Sequence, residues 1–150
     1  MSAGLVYLDT SALVKLVRQE PESPALARFT VEAELLSSEL ALVELPRAIR
    51  RAAWLDPVLS LAALLKQANE VLESIALWPL TAQLLQAAGA VPEPRLRSLD
   101  AVHIASALDE APLAGFISYD IRQAAAARLC GLRTLAPGAD GHAPGSRVDE

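Results

Sequence analysis

The sequence predicts a single α/β domain built on a parallel β-sheet flanked by helices. Three observations lead there. Leu5, Val6, Tyr7 and Leu8 form a short continuous apolar run of the kind buried on both faces in a parallel sheet. Similar short β-rich runs recur between stretches of helical periodicity, the alternation that parallel sheets require. The chain has 150 residues, 53% of them hydrophobic, which suffices for one sizeable core. No internal repeat or linker divides it.

The first strand ends at Asp9, and the apolar residues Leu13, Leu16 and Val17 then recur at helical spacing. Gln19–Pro24 reads as a loop broken by two prolines, and Ala25–Glu34 as a helix. Leu35 and Leu36 form a second strand running into Ser37 and Ser38, either of which suits the cap of a helix beginning near Glu39. Pro46 predicts a kink or restart in that helix. Asp56 followed by Pro57 has the form of an N-cap and first helical residue, opening a helix to about Ser74. Ile75–Trp78 is a candidate short strand. Thr81 caps a helix ending at Gly89, residues 91–98 form a proline-broken loop, and Ser98 caps the helix containing Asp100 and His103. Pro112–Gly115 turn the chain into a strand at Phe116–Ser118. A helix follows to about Cys130, and the last strand falls at Leu132–Leu135.

Composition excludes several classes. No apolar run reaches the roughly 20 residues of a membrane span, and no basic segment followed by a long apolar one opens the chain, so a cytoplasmic location is the expectation. The single cysteine, Cys130, excludes an internal disulfide framework and a cysteine-rich metal site. Thirteen basic against eighteen acidic residues give a net charge of −5. That balance does not advertise nucleic-acid binding, but a carboxylate site for divalent metal would itself make a small protein acidic.

Four acids stand out by position. Asp9 and Asp120 each follow a predicted strand, Asp100 lies in the first turn of a helix, and Glu44 lies early in the helix after the second strand. Strand ends and the adjoining helix starts gather on one edge of such a sheet, where ligands bind. Asp9, Asp100 and Asp120 singly suit helix capping equally well. Glu44, set among Leu40, Ala41, Leu42, Val43, Leu45 and Pro46, is harder to explain as a solvated residue, since a carboxylate in apolar surroundings needs a partner. Clustered carboxylates repel unless a cation neutralises them, and hard oxygen donors select Mg²⁺ or Mn²⁺ over zinc. His103 shares a helix face with Asp100 and is expected to be a core or supporting histidine.

The stretches YLDTSALVKL, SSELALVELPRA, LRSLDAVHIASAL and FISYDIRQAAAARLCGLRTLAPG together resemble the four acidic motifs of PIN-domain ribonucleases, in particular the VapC-type toxins of bacterial toxin–antitoxin pairs. The resemblance spans residue 5 to about 138. It implies a PIN-like three-layer sandwich over residues 1–138, with a loose tail over 139–150, a homodimer, and inhibition by a cognate VapB-type antitoxin. Asp9, Glu44, Asp100 and Asp120 match the family's metal-binding acids, and Ser11 and Ser118 its small hydroxyl positions beside them.

The chemistry suits the residues on its own terms. Hydrolysis of an RNA phosphodiester needs an activated water and charge neutralisation at phosphorus, which Mg²⁺ or Mn²⁺ supplies. Asp9 and Asp100 are expected to hold the principal ion, with Glu44 and Asp120 completing or sharing a second position. Arg47, Arg50, Arg95, Arg97 and Arg122 are the candidate phosphate contacts. Two rival readings remain: a catalytically silent α/β binding module, and a receiver-like phosphoacceptor domain. The latter would need a basic partner for the phosphoryl group, and the only lysines are Lys15 and Lys66.

Overall fold

The computed structural model describes residues 4–110 and 112–139; of the expected tail, only Ala139 falls within them. Five strands, β1 (Leu5–Leu8), β2 (Glu34–Ser38), β3 (Ala76–Trp78), β4 (Gly115–Ile117) and β5 (Thr134–Leu135), form one sheet in the order β3-β2-β1-β4-β5. Every pairing is parallel. Among the described residues seven helices accompany them: α1 (Thr10–Val17), α2 (Ser23–Thr30), α3 (Ala41–Leu55), α4 (Leu61–Ser74), α5 (Ala82–Gly89), α6 (Ser98–Asp109) and α7 (Ile121–Leu129).

Strand alternation divides the core between the two sheet faces. Val6, Leu8 and Ile117 pack on one face with Leu13 of α1, Leu26 of α2 and Leu45 and Ile49 of α3. Tyr7, Leu36 and Phe116 pack on the other with Ile104 of α6 and Ala126 and Ala127 of α7. The result is the expected three-layer α/β/α sandwich. Helix α6 is buried at all seven positions from Ala101 to Ala107, because it lies between β2 and α5. A helix enclosed in this way carries whatever polar groups it bears into the interior.

The strand order builds the site edge. From β1 the chain works outward through β2 and β3, then crosses to the opposite side for β4 and β5. The connections after β1 and β4 therefore diverge, leaving a crevice at their carboxyl ends.

Several local expectations need correction. The second helix begins earlier and ends earlier than predicted, at Ser23 and Thr30, with Pro24 accommodated in its first turn. Ser37 and Ser38 belong to β2 and neither is the N-cap of α3, which is Leu40; Ser37 Oγ donates to the Leu8 carbonyl at 2.7 Å, while Ser38 Oγ accepts from the Leu40 amide at 3.0 Å in the turn that leads into α3. Pro46 neither stops nor restarts α3. The carbonyl deprived of its helical partner is that of Leu42, an exposed residue open to water. Asp56 closes α3 instead of opening α4; Ser60 takes that cap, its Oγ accepting from the amide of Ala63. Ser98 is the first residue of α6, after an N-cap at Arg97. Ile75–Trp78 does contain a strand, and Gly131, at φ +90°, ends α7 as expected.

Candidate active site

Asp9 follows β1 and is 3% exposed. It caps α1, as the plain capping reading expects, but that uses little of its carboxylate. Oδ1 accepts from the Ala12 amide (3.0 Å) and from Ser11 Oγ (2.6 Å), while Oδ2 accepts from Ser118 Oγ. The two serines also bind the strand ends together. Ser11 Oγ accepts from the Tyr119 amide at 2.9 Å, and Ser118 Oγ accepts from the Asp120 amide at 3.2 Å. Burial pushes the Asp9 carboxyl above the usual carboxylate range despite these hydrogen bonds. No lysine or arginine among the described residues pairs with it.

Glu44 reaches the same edge from the first turn of α3. Its Oε1 accepts from Thr10 Oγ1 at 2.7 Å and from His103 Nε2 at 2.6 Å. Burial would raise this carboxyl, but the hydrogen bond and charge of His103 and the bond from Thr10 more than offset it and hold it low. The other ring nitrogen of His103, Nδ1, is 2.7 Å from the Tyr7 hydroxyl, whose own ionisation is pushed far up by burial. Tyr7 in turn stacks on Phe116, with centroids 5.3 Å apart and planes 2° from parallel. His103 is thus the supporting histidine expected, fixed between the core and Glu44.

Asp100 lies half-buried in the first turn of α6, and Asp120 caps α7, accepting from the amides of Arg122 and Gln123. The Asp100 carboxyl is raised, first by burial and then by the charges of Asp120, Asp9 and Glu44, with His103 acting against them. That coupling is the electrostatic signature of the four acids meeting at one edge. Gln123 ties the last two together: it is 1% exposed and donates from Nε2 to the Asp100 carbonyl at 3.2 Å.

Glu44, Asp100, Tyr119 and Asp120 line a groove of about 710 Å³ together with Arg95, Arg97 and Arg122. Asp9 is buried and does not itself line the groove, though its charge acts on Asp100. Arg95 is held by Glu93 at 2.8 Å, leaving Arg97 and Arg122, among the described residues, as the groove's cations outside any salt bridge. Arg47 and Arg50 are not in this groove; they lie with Arg51 and Trp54 on an exposed part of α3. Lys15 is paired with Glu20 and Glu22 and lies over the Tyr119 ring, so it does not serve as the free basic partner of a receiver-like site.

Among the described residues, no three His, Cys, Asp or Glu side chains stand together as a ready-made metal cage. The donor chemistry nevertheless fits Mg²⁺ or Mn²⁺. The donors are hard oxygens, and among the described residues Asp9, Asp100 and Asp120 are in no salt bridge. Mg²⁺ is commonly held by one or two carboxylates while keeping several waters.

Sequence reasoning does not single out Thr10, Tyr7 or Gln123. Thr10 carries the only usable signal, a hydroxyl next to Asp9 on the first turn of α1. The contacts of Tyr7 and Gln123 span 96 and 23 residues of chain, and no local pattern reports them.

Comparison with known proteins identifies the family. Residues 6–129 match the PIN domain family. Ribonuclease VapC35 of Mycobacterium tuberculosis is 40% identical over 142 residues, covering 89% of this chain and 98% of that protein. Ribonuclease VapC47 of the same species is 33% identical over 141 residues, covering 90% and 98%. The crystal structure of M. tuberculosis VapC20, described as a sarcin–ricin loop cleaving toxin, superposes with a TM-score of 0.67 at 16% identity, over 88% of this chain and 99% of that one. A Pyrobaculum aerophilum protein, PAE2754, superposes at 0.61 with 20% identity, over 88% and 84%. The last two bear on the fold alone. With its three-layer sandwich, its acids at the β1–β4 edge and its near full-length similarity to curated relatives, the chain belongs to the VapC ribonucleases of the PIN-domain family.

Proposed function

We propose that this protein is a metal-dependent endoribonuclease toxin that hydrolyses RNA phosphodiester bonds at the groove beside Asp9, Glu44, Asp100 and Asp120. The observation that carries the reading is the meeting of Glu44, Asp100 and Asp120 in one groove, with no lysine or arginine among the described residues in a salt bridge to any of them or to Asp9. Asp9 and Asp100 would hold Mg²⁺ or Mn²⁺, with Glu44 and Asp120 completing the shell or orienting its waters. When bound, the ion supplies an activated water and neutralises charge at phosphorus.

The chain's own residues prepare that chemistry. Ser11 and Ser118 fix both oxygens of Asp9, so its carboxylate cannot turn away from the edge. His103 and Thr10 hold one oxygen of Glu44 and keep it ionised. Arg97 and Arg122 line the groove with charge that no described acid neutralises, suited to phosphates flanking the scissile bond. No helix among the described residues is long and apolar enough to cross a membrane, in keeping with a cytoplasmic enzyme. The family supports a homodimer held inactive by a VapB-type antitoxin.

The test is cleavage of total cellular RNA by the purified, antitoxin-free chain, with Mg²⁺, Mn²⁺ or EDTA, alongside Asp9→Asn and Asp100→Asn. Discrete cuts that need metal and vanish in both variants are expected. A folded wild type that cuts nothing, or variants that cut equally well, would leave the silent binding module as the better reading.

A further inference from the structure

The exposed face of α3 beyond Glu44 carries charge that the acid groove does not use. Between Glu44 and Asp56 the chain has three arginines, Arg47, Arg50 and Arg51, and no acid, in a protein whose net charge is −5. Among the described residues none of the three is in a salt bridge. Trp54, on the same helix, is 81% exposed. At 100° per residue, Arg47, Arg50, Arg51 and Trp54 fall within an arc of about 100°, and Glu44 lies just beyond its edge. The four side chains line one shallow surface hollow. It extends about 10 Å along the helix axis from Arg47 to Trp54, at a rise of about 1.5 Å per residue.

We infer that this face is a second RNA-holding surface, on which an unpaired stretch of the substrate lays its phosphates against Arg47, Arg50 and Arg51 and stacks a base on Trp54. The inference rests on the ribonuclease reading and extends it to how the substrate is held. A site of four carboxylates repels a polyanion, so affinity has to come from positive charge gathered elsewhere. Among the described residues, the groove offers only Arg97 and Arg122 outside a salt bridge. The α3 face supplies three more, one turn beyond an acid that lines the groove, so a strand leaving the groove past Glu44 passes onto it. Arginines around an exposed aromatic ring are the combination that binds single strands, the ring giving a sequence-tolerant stacking platform. A purely apolar protein partner would leave the arginines unanswered.

The experiment uses the full chain carrying Asp9→Asn, in EDTA, so that binding is read without cleavage and independently of the catalytic assignment. The probe is a fluorescein-labelled 20-nucleotide oligouridylate followed by anisotropy, with tryptophan emission recorded in parallel. The triple variant Arg47→Ala, Arg50→Ala, Arg51→Ala is expected to weaken binding and to flatten the salt dependence by about 2 in log–log slope, at about 0.7 per lost phosphate contact. Trp54→Leu is expected to weaken binding roughly 5- to 150-fold, the range for one stacked base. It should also abolish the emission change on titration, although Trp78 remains to report. If the oligonucleotide does not bind, or binds all variants with the same affinity and salt slope, the proposal is overturned. It is equally overturned if the variants lose only a co-purifying protein partner. Failure of the catalytic reading shows separately, as RNA left intact by the wild-type chain with Mg²⁺.

Discussion

Replacing Asp9 with asparagine should make the metal-free protein more stable while destroying its function, and the structure says why. The Asp9 carboxylate is buried, is in no salt bridge among the described residues, and is raised above its ordinary range by desolvation that three hydrogen bonds and the charge of His103 do not offset. A group whose folded pKa is raised binds its proton more tightly in the folded state. Its contribution is therefore most favourable below the unfolded value and is lost as pH rises through the folded one, leaving a standing cost at neutral pH. Asparagine keeps an oxygen for Ser11 and the Ala12 amide but removes the charge. Substitutions that relieve such functional strain commonly gain about 0.5–2 kcal/mol. At about 2–4 °C per kcal/mol for a chain of this size, Tm should rise by about 1–8 °C in EDTA. Metal should reverse the ranking. An ion at 100 times its Kd stabilises the wild type by about 2.7 kcal/mol, or about 5–11 °C, and should leave Asp9→Asn nearly unmoved. The assay is thermal unfolding of both proteins in EDTA and across a Mg²⁺ or Mn²⁺ series, at pH 5 and pH 7.5. An Asp9→Asn variant less stable than wild type in EDTA, or one gaining as much from metal, would refute the argument.

Three further outcomes follow from the same site. Ser118→Ala removes a donor from a buried carboxylate and a partner from the Asp120 amide; it should cost about 1.5–3 kcal/mol by denaturant unfolding, the range for hydrogen bonds to charged groups. Tyr7→Phe leaves His103 Nδ1 without its buried partner and should cost about 1–3 kcal/mol, with cleavage falling further than stability accounts for if His103 then fails to hold Glu44, which kcat measured well below Tm reads out. Asp100 is raised by burial and by its acidic neighbours. Cleavage at limiting Mg²⁺ should therefore fall, as pH is lowered, from above the ordinary carboxylate range, and saturating metal should move that acid limb downward; a limb insensitive to metal concentration would contradict this.

How much of this is legible in the sequence depends on whether a feature is local. Asp9 can be placed at a strand end because Leu5–Leu8 is short, continuous and apolar, and Asp120 because Phe116 and Ile117 repeat the pattern. The two misplaced caps show the limit of such reading. Asp56–Pro57 has the chemistry of a helix start, yet Asp56 closes α3 and its Oδ1 accepts from the Val58 amide in a turn, while Ser60 does the capping. Ser37 and Ser38 have capping chemistry too, but pairing with Leu77 and Trp78 of β3 holds them in β2, and tertiary pairing outweighs local preference. Pro46 reads as a kink or restart because sequence does not show that Leu42, whose carbonyl loses its helical partner, is exposed. The chain through Tyr7, His103 and Glu44 is invisible in sequence because each link joins residues 59 or more positions apart.

The position of the acids follows from the same feature that makes the fold stable. Only at the crevice between β1 and β4 do two adjacent strands end with their connections diverging, so only there can a side chain from each meet without a crossing loop between them. Ser11 and Ser118 exploit that adjacency, clasping Asp9 from the two strand ends. α6 adds the third direction: enclosed by its neighbours, it delivers His103 into the interior and Asp100 to the rim, three residues apart on one face. The burial that fixes these groups so closely is also what makes their charges costly. A loose surface cluster of acids would be easier to ionise but would present no fixed set of oxygens. The energetic penalty at Asp9 and Asp100 and the readiness to bind a cation are thus two consequences of one arrangement, and a substitution that relieves the first should forfeit the second.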